Sequence, residues 1–317
     1  MIRTMFGLVL AFAVASAALF GTSARADDSD WRERVKVLRI GFVAGSNPRH
    51  GLKRIEPFRR RLSLELAIPV EVLPMADTAM LIDAHTSARI DYAIYNASAY
   101  AAAEAACRCL EPLVVPKAED GSTGYHSIIV ARSDRKPASL ADLKDATLVL
   151  SRPGSTAGHL VPFIELQGAG IHVDDYFQSV TFAGAPASAV KTVLLGAADA
   201  AIAWSSLSGD PEKGFDRGTL HDLVADGTMT MDEVAIVWRS RLIPHGPHAV
   251  RRGLPDALKK LLVAELVRLN ELDGAAYDAV ERVYGGGFVA ADRSMFSLLI
   301  DAFRPQREAS PAAMPKG

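Results

Sequence analysis

The sequence predicts an α/β protein of two lobes, each a mostly parallel sheet flanked by helices, joined by a two-segment hinge. Three observations lead there. Short apolar, β-branched runs alternate with stretches of helical spacing at close intervals, as strand–helix–strand units require. One order of elements (strand, loop, helix, strand, helix, strand) occurs twice, over residues 37–116 and 147–205. Two further extended stretches, 125–131 and 244–251, are placed to be the only links between the halves.

The N-terminus reads as an address rather than as fold. Arg3 supplies a positive region, Met5 to Phe20 is almost unbroken apolar sequence, and Ala24-Arg25-Ala26 is a small-x-small cleavage signal. Residues 1–26 are therefore expected to be a signal peptide cut after Ala26, leaving an exported protein that starts near Asp27. No cysteine stands at the cut to mark a lipoprotein, and an uncleaved anchor is the alternative. Losing this segment removes Arg3 and Arg25 and no acid, so the formal charge moves from −2 to −4. A mildly acidic chain with scattered charges argues against a nucleic-acid partner. The rest of the 317 residues suffices for two lobes with separate cores.

Val37 to Val43 is the first strand, followed by the loop 44–51 and a helix from Leu52 to Leu66. Pro69 to Leu73 is the second strand. Asp77-Thr78 caps a helix that turns Ala79, Met80, Leu81 and Ile82 toward a core. Asp91 to Tyr95 is a third strand, ending in Asn96-Ala97-Ser98 before an Ala-rich helix over 99–106. Leu113 to Pro116 is a fourth, and 117–124 a polar loop. These elements make lobe 1, residues 27–130, to which residues 246–304 return.

Tyr125 to Ala131 is a strand long enough to leave one lobe for the other. Ser139 to Leu143 is a short capped helix, and alternation restarts with the strand Thr147 to Leu150 in lobe 2, residues 131–245. After the turn that follows, Leu160, Val161, Phe163, Ile164 and Leu166 fall at helical spacing. Val180 to Ala183 is a strand, Ser188 to Leu195 a helix, and Ala200 to Trp204 a strand ending in Ser205-Ser206. The Gly/Asp-rich stretch 207–227 has no clear period. Val234 to Trp238 is another strand, and Pro247 to Arg251 is expected to run back beside the Tyr125 strand. From Asp256 a helix carries the stripe Leu258, Leu261, Leu262, Leu266 and Leu269 until Gly285-Gly286-Gly287 breaks it. Pro, Ala and Ser dominate 305–317, which reads as a flexible tail.

Ligands of open α/β sheets bind outside the carboxyl ends of strands. Those ends are Asn47, Tyr95, Asn96 and Ser98 in one half, and Ser155, Thr156, Gly184 and Ser205 in the other. The central stretch is Ser151-Arg152-Pro153-Gly154-Ser155-Thr156-Ala157-Gly158-His159, between a strand and a helix. Ser155 or Thr156 is a natural N-cap, and such a junction directs N–H groups, hydroxyls and a helix dipole at one point. An ordinary capped helix start is the plainer reading of the same residues. Ser155 lacks a Gly-x-Ser-x-Gly elbow, so no catalytic residue is assigned. His126 and His159 are candidates to face the cleft, as are Trp204 and Trp238, which end strands and have packing between the lobes as the alternative. Pro247 keeps His245 and His248 off a regular helix, and no metal site or cofactor is assigned. Cys107 and Cys109 leave three states open: a tight disulfide, two thiols, or a chance metal contact.

Several stretches, in order and over most of the chain, resemble the periplasmic phosphate/phosphonate-binding proteins of ABC importers. They are Leu38-Arg39-Ile40-Gly41, Leu66-Ala67-Ile68-Pro69-Val70, Asp91-Tyr92-Ala93-Ile94-Tyr95, Pro153-Gly154-Ser155-Thr156-Ala157-Gly158, Phe182-Ala183-Gly184 and Trp238-Arg239-Ser240-Arg241-Leu242-Ile243-Pro244. The resemblance implies a type II periplasmic-binding-protein fold and a periplasmic solute-binding function. A small anionic or zwitterionic ligand, foremost a phosphonate- or phosphate-like oxyanion, would be captured between the lobes and delivered to an inner-membrane permease by a monomer. It further implies that Ser155, Thr156 and the N–H groups of Ala157 and Gly158 hold the anion, and that Tyr95 lines the pocket. Ala157 stands where the family usually has another Ser, and Asn96-Ala97 replaces Gly-Pro. His159 stands where an aromatic is frequent, and Ala185-Pro186 replaces His-Asp. A sensor that signals to a membrane histidine kinase is the alternative on the same fold.

Overall fold

A computed structural model of the chain describes residues 31–45 and 47–304. The expected signal peptide and C-terminal tail lie outside the described residues. After a short helix α1 (Trp31–Arg34), β1 (Leu38–Val43) leads into α2 (Pro48–Leu66), β2 (Val70–Met75), α3 (Thr78–Thr86) and β3 (Tyr92–Ile94). Then come α4 (Ala97–Cys107), β4 (Leu110–Ala118), β5 (Gly124–Arg132) and β6 (Thr147–Leu150), which delivers the chain to α5 (Val161–Gly168). Next are α6 (Val173–Tyr176), β7 (Ser179–Phe182), α7 (Pro186–Leu194), β8 (Ala200–Ser205) and α8 (Thr219–Ala225). Beyond them lie β9 (Val234–Arg239), β10 (Ile243–Pro244), β11 (His248–Arg251), α9 (Asp256–Leu272), α10 (Gly274–Val280), β12 (Gly285–Ala290) and α11 (Ser297–Phe303).

Among the described residues the strands form two six-stranded sheets. The first has the order β12-β4-β11-β3-β1-β2, with β1 parallel to both β2 and β3. The second has the order β10-β5-β8-β6-β7, with β9 also on β5. Here β6 is parallel to β7 and β8, whereas β5 runs antiparallel to β8. Strand alternation decides which helix covers which face. Leu38, Ile40 and Phe42 pack with Ile55, Phe58 and Leu62 of α2 and with the buried leucines 258, 262, 266 and 269 of α9. Burial of each such leucine contributes roughly 1.5–3 kcal/mol. Ala93 and Val115 point the other way, into α3, α4 and α11. In the second sheet Ile128 and Val130 meet α7 and α8, while Ile129 and Ala131 meet α5 and α6.

Several expectations are corrected. Helix α2 begins at Pro48 rather than Leu52, because Pro48 suits the first helical turn and Asn47 caps it by accepting from the His50 N–H. In α3 the cap is Asp77 as expected, but Leu81, Ala84 and His85 are buried while Ala79 and Met80 are exposed. The stretch 207–227 contains α8. The helix from Asp256 ends at Leu272, where Asp273 both stops it and caps α10. Gly285-Gly286-Gly287 opens β12 instead of merely breaking a helix.

The crossings between sheets also differ from expectation. Strand β5, assigned to the first lobe as far as residue 130, hydrogen-bonds within the second sheet, so the chain passes over at 119–123. It returns at 245–247. The segment beside the Tyr125 strand is β10, with Ile243 opposite Tyr125. Strand β11 instead inserts antiparallel between β3 and β4, where His248, Ala249 and Val250 are all buried. Gly246 makes this return possible: a Cβ there would lie 2.0 Å from the Tyr95 carbonyl oxygen.

Candidate functional site

Strand β6 ends in a turn whose local chemistry accounts for its shape. Gly154 takes φ 74°, the left-handed region that favours glycine. Ser155 is the N-cap, its Oγ accepting from the Gly158 N–H at 3.2 Å. The Ser155 carbonyl accepts from both His159 and Leu160, which widens the first turn, Thr156–Leu160, into a π-turn before α5. Gly158 must lack a side chain, because a Cβ there would stand 1.8 Å from Ser151 Oγ. The Ser151 hydroxyl is fully buried beneath it and has no protein partner.

This turn forms one wall of a cleft of about 430 Å³ between the two sheets. Three helix N-terminal ends converge on it: Asn96 and Ser98 of α4, Ser155 to Ala157 at the π-turn, and Ala185-Pro186 of α7. N–H groups of a first turn have no acceptor within their own helix, so each end presents positive potential. Arg152 adds a full positive charge, and none of the described residues lining the cleft is Asp or Glu. Thr156 Oγ1 donates to Ser98 Oγ at 2.9 Å, and Ser98 donates to Asn96 Oδ1 at 3.0 Å. The Tyr125 hydroxyl also meets Thr156, and burial pushes its pKa up to about 12, so it stays a donor.

Aromatic rings complete the wall. Tyr125 and Trp204 meet edge to face at 5.4 Å. Tyr284, from the loop before β12, stacks on His245 at 3.6 Å, and His245 lies parallel to Tyr125 at 6.0 Å. Burial holds His245 at a pKa of about 4, so it is a neutral spacer between the two tyrosines, its Nδ1 on the Pro116 carbonyl at 2.8 Å. Arg217 lies over Tyr284 at 5.4 Å and donates to Ser122 Oγ at 2.7 Å. The chemistry available is recognition of a small anion by hydroxyls and amides, with one basic residue in the lining.

Of the residues proposed from sequence, Asn96, Ser98, Ser155, Thr156, Ala157 and Trp204 line this cleft together. The others lie elsewhere. The Gly158 amide is taken up by Ser155 Oγ. His159 folds back so that Nδ1 accepts from the Gly154 N–H at 3.2 Å, its ring against Phe163 and Phe182. His126 is held by the Ser240 carbonyl at 2.8 Å, and Ser205 is buried with its Oγ accepting from the Leu207 N–H. Asn47 is the α2 cap. Tyr95 is buried with its hydroxyl 3.1 Å from His85 Nδ1, and lines a separate cavity of about 270 Å³ with Asn96 and Arg54. Trp238 packs in the second core.

Sequence reasoning missed Tyr125, Tyr284 and Arg152 as parts of the wall. Arg152 was readable, since it stands inside the central turn; Tyr284 was not, because only the β12–β4 pairing brings its loop there. Cys107 and Cys109 are joined as a disulfide at the end of α4. His245 and His248 belong to different packing clusters, and no group of metal-binding side chains occurs among the described residues.

Residues 40–296 match the family model described as ABC transporter, phosphonate, periplasmic substrate-binding protein. The phosphonates-binding periplasmic protein of Escherichia coli (strain K12) is 25% identical over 252 residues, 78% of this chain and 70% of its own. A Xanthomonas citri protein solved bound to ATP superimposes with a TM-score of 0.62 at 20% identity, over 85% of this chain and 96% of its own. PhnD1 from Prochlorococcus marinus, solved in complex with methylphosphonate, gives a TM-score of 0.53 at 17% identity, over 84% and 97%. The architecture is the type II periplasmic binding fold.

Proposed function

The chain belongs to the periplasmic phosphonate substrate-binding proteins of ABC transporters, and from that premise we propose that its cleft captures a phosphonate- or phosphate-like oxyanion. The exported form, starting near Asp27, acts as a monomer. It delivers the anion unaltered to an inner-membrane permease and has no nucleic-acid partner. Its lobes are the halves built on the two sheets, closing about the links 119–123 and 245–247.

One observation carries the reading. Three helix N-termini, the hydroxyl residues Ser98, Ser155, Thr156 and Tyr125, and the basic Arg152 line a cleft whose described lining has no carboxylate. A hydrogen bond to a charged group contributes roughly 1.5–3 kcal/mol, and a helix N-terminus about 0.3–1 kcal/mol. A few such contacts account for the ~8 kcal/mol of a micromolar complex. The curated Escherichia coli relative named for phosphonate binding supports the same class.

Calorimetric titration with methylphosphonate, inorganic phosphate and sulfate tests it. Methylphosphonate or phosphate is expected to bind at micromolar level, and the Thr156→Ala protein at least ten-fold more weakly. Absence of binding for both anions at millimolar concentration would defeat the reading.

A further inference from the structure

The oxyanion leaves most of the cleft unfilled. At ~30 Å³ per water-sized group, the five heavy atoms of methylphosphonate occupy about a third of the 430 Å³. Beyond the donors and Arg152, the wall is made by Tyr125, Trp204, Tyr284, Ala185 and Pro186. These are aromatic rings and small apolar groups. They fit a substituent that gains by leaving water.

Two features count against a charged substituent. A primary ammonium entering the cleft would shed water without meeting a carboxylate, and a buried unpaired charge is strongly unfavourable. Glu119, Asp120 and Asp216 line a different cavity, on which Tyr284 also borders together with Arg217 and Arg282, and Asp120 is engaged by Ser122 at 2.7 Å and Arg217 at 3.6 Å. A quaternary ammonium could instead use aromatic faces. Here, however, the Tyr284 ring is already taken by His245 at 3.6 Å and Arg217 at 5.4 Å, and the unpaired charge in the lining is the positive one of Arg152.

Resting on the phosphonate reading above, we infer that the preferred ligand is a phosphonate with an uncharged, apolar organic group, an aryl- or alkylphosphonate of roughly six to eight carbons. Aminoalkyl- and trimethylammonioalkyl-phosphonates are discriminated against. The test titrates the purified protein with methyl-, phenyl-, benzyl-, 2-aminoethyl- and 2-(trimethylammonio)ethylphosphonate. Phenyl- or benzylphosphonate is expected to bind at least ten-fold more tightly than either zwitterion. A zwitterion that binds as tightly as both aryl ligands, or more tightly, overturns the inference while the phosphonate reading stands. Failure of methylphosphonate and all the others overturns both. In Ala185→Asp the ratio of 2-aminoethyl- to phenylphosphonate affinity is expected to rise at least ten-fold. An unchanged ratio in a folded variant would show that the wall's lack of a carboxylate is not what sets the preference.

Discussion

Thr156 Oγ1 donates to Ser98 Oγ at 2.9 Å, tying the turn after β6 to the first turn of α4 across the cleft. Ser98 passes the polarity on to Asn96 Oδ1, which also accepts the Ala99 amide at 2.8 Å. The hydroxyl oxygens are thereby held in place before any ligand arrives, and since each carries a single proton, Thr156 and Ser98 turn theirs from this chain of bonds to the bound anion. Replacing either Ser98 or Thr156 by Ala is expected to weaken methylphosphonate binding ten-fold or more. Because the two share one bond, the double variant should lose less than the sum of the single losses. Wild-type affinity in both single variants, read by calorimetry, would exclude this pair from the site.

Ser155 has two roles that one pair of variants separates. Its Oγ caps the π-turn, and its hydroxyl lines the cleft. Ser155→Ala should lower ligand-free stability by about 1 kcal/mol and weaken binding as well. Ser155→Asp keeps an acceptor for the cap but sets a negative charge against the anion. Its ligand-free melting temperature should stay near wild type while methylphosphonate binding is lost.

Gly158 is required by packing rather than by backbone conformation. Its missing Cβ would collide with the buried Ser151 Oγ. Gly158→Ala is expected to destabilise the protein by roughly 1–3 kcal/mol through overpacking, seen as a lower urea midpoint with unchanged slope. Adding Ser151→Gly should recover part of the loss. No recovery would place the collision elsewhere.

Three buried histidines set the acid limit of the fold. Burial holds His85 and His245 at about 4 and His248 at about 3. In the unfolded chain each titrates at ~6.5. The folded pKa is depressed, so the contribution to stability is complete above ~6.5 and is lost as pH falls toward the folded values. Each histidine changes stability by up to about 1.4 kcal/mol per pH unit in that window. Urea midpoints should therefore drop steeply from pH 6.5 to 4.5, and less steeply in His85→Gln. A flat wild-type profile would contradict their burial.

The sequence by itself determined the local elements and the chemistry of the central turn. Thr147–Leu150 has the stated bounds because its β-branched and apolar residues are buried from both faces. Asp77 and Ser155 cap where short side-chain oxygens precede an apolar run. Such features depend on neighbours within a few residues. They also place Asn96, Ser98, Thr156 and Trp204 at strand ends, where the cleft forms.

Only the tertiary structure decided what faces what. His159 and His126 satisfy nearby backbone groups instead of turning to the cleft, a competition that spacing does not rank. Strand β11 entered the first sheet because three consecutive residues are buried between β3 and β4, whereas β10 alone stayed beside Tyr125. That threading sets His245 between Tyr125 and Tyr284, residues 159 positions apart in the chain. Their meeting is a property of long-range strand pairing, and no local pattern of apolar and polar residues encodes it.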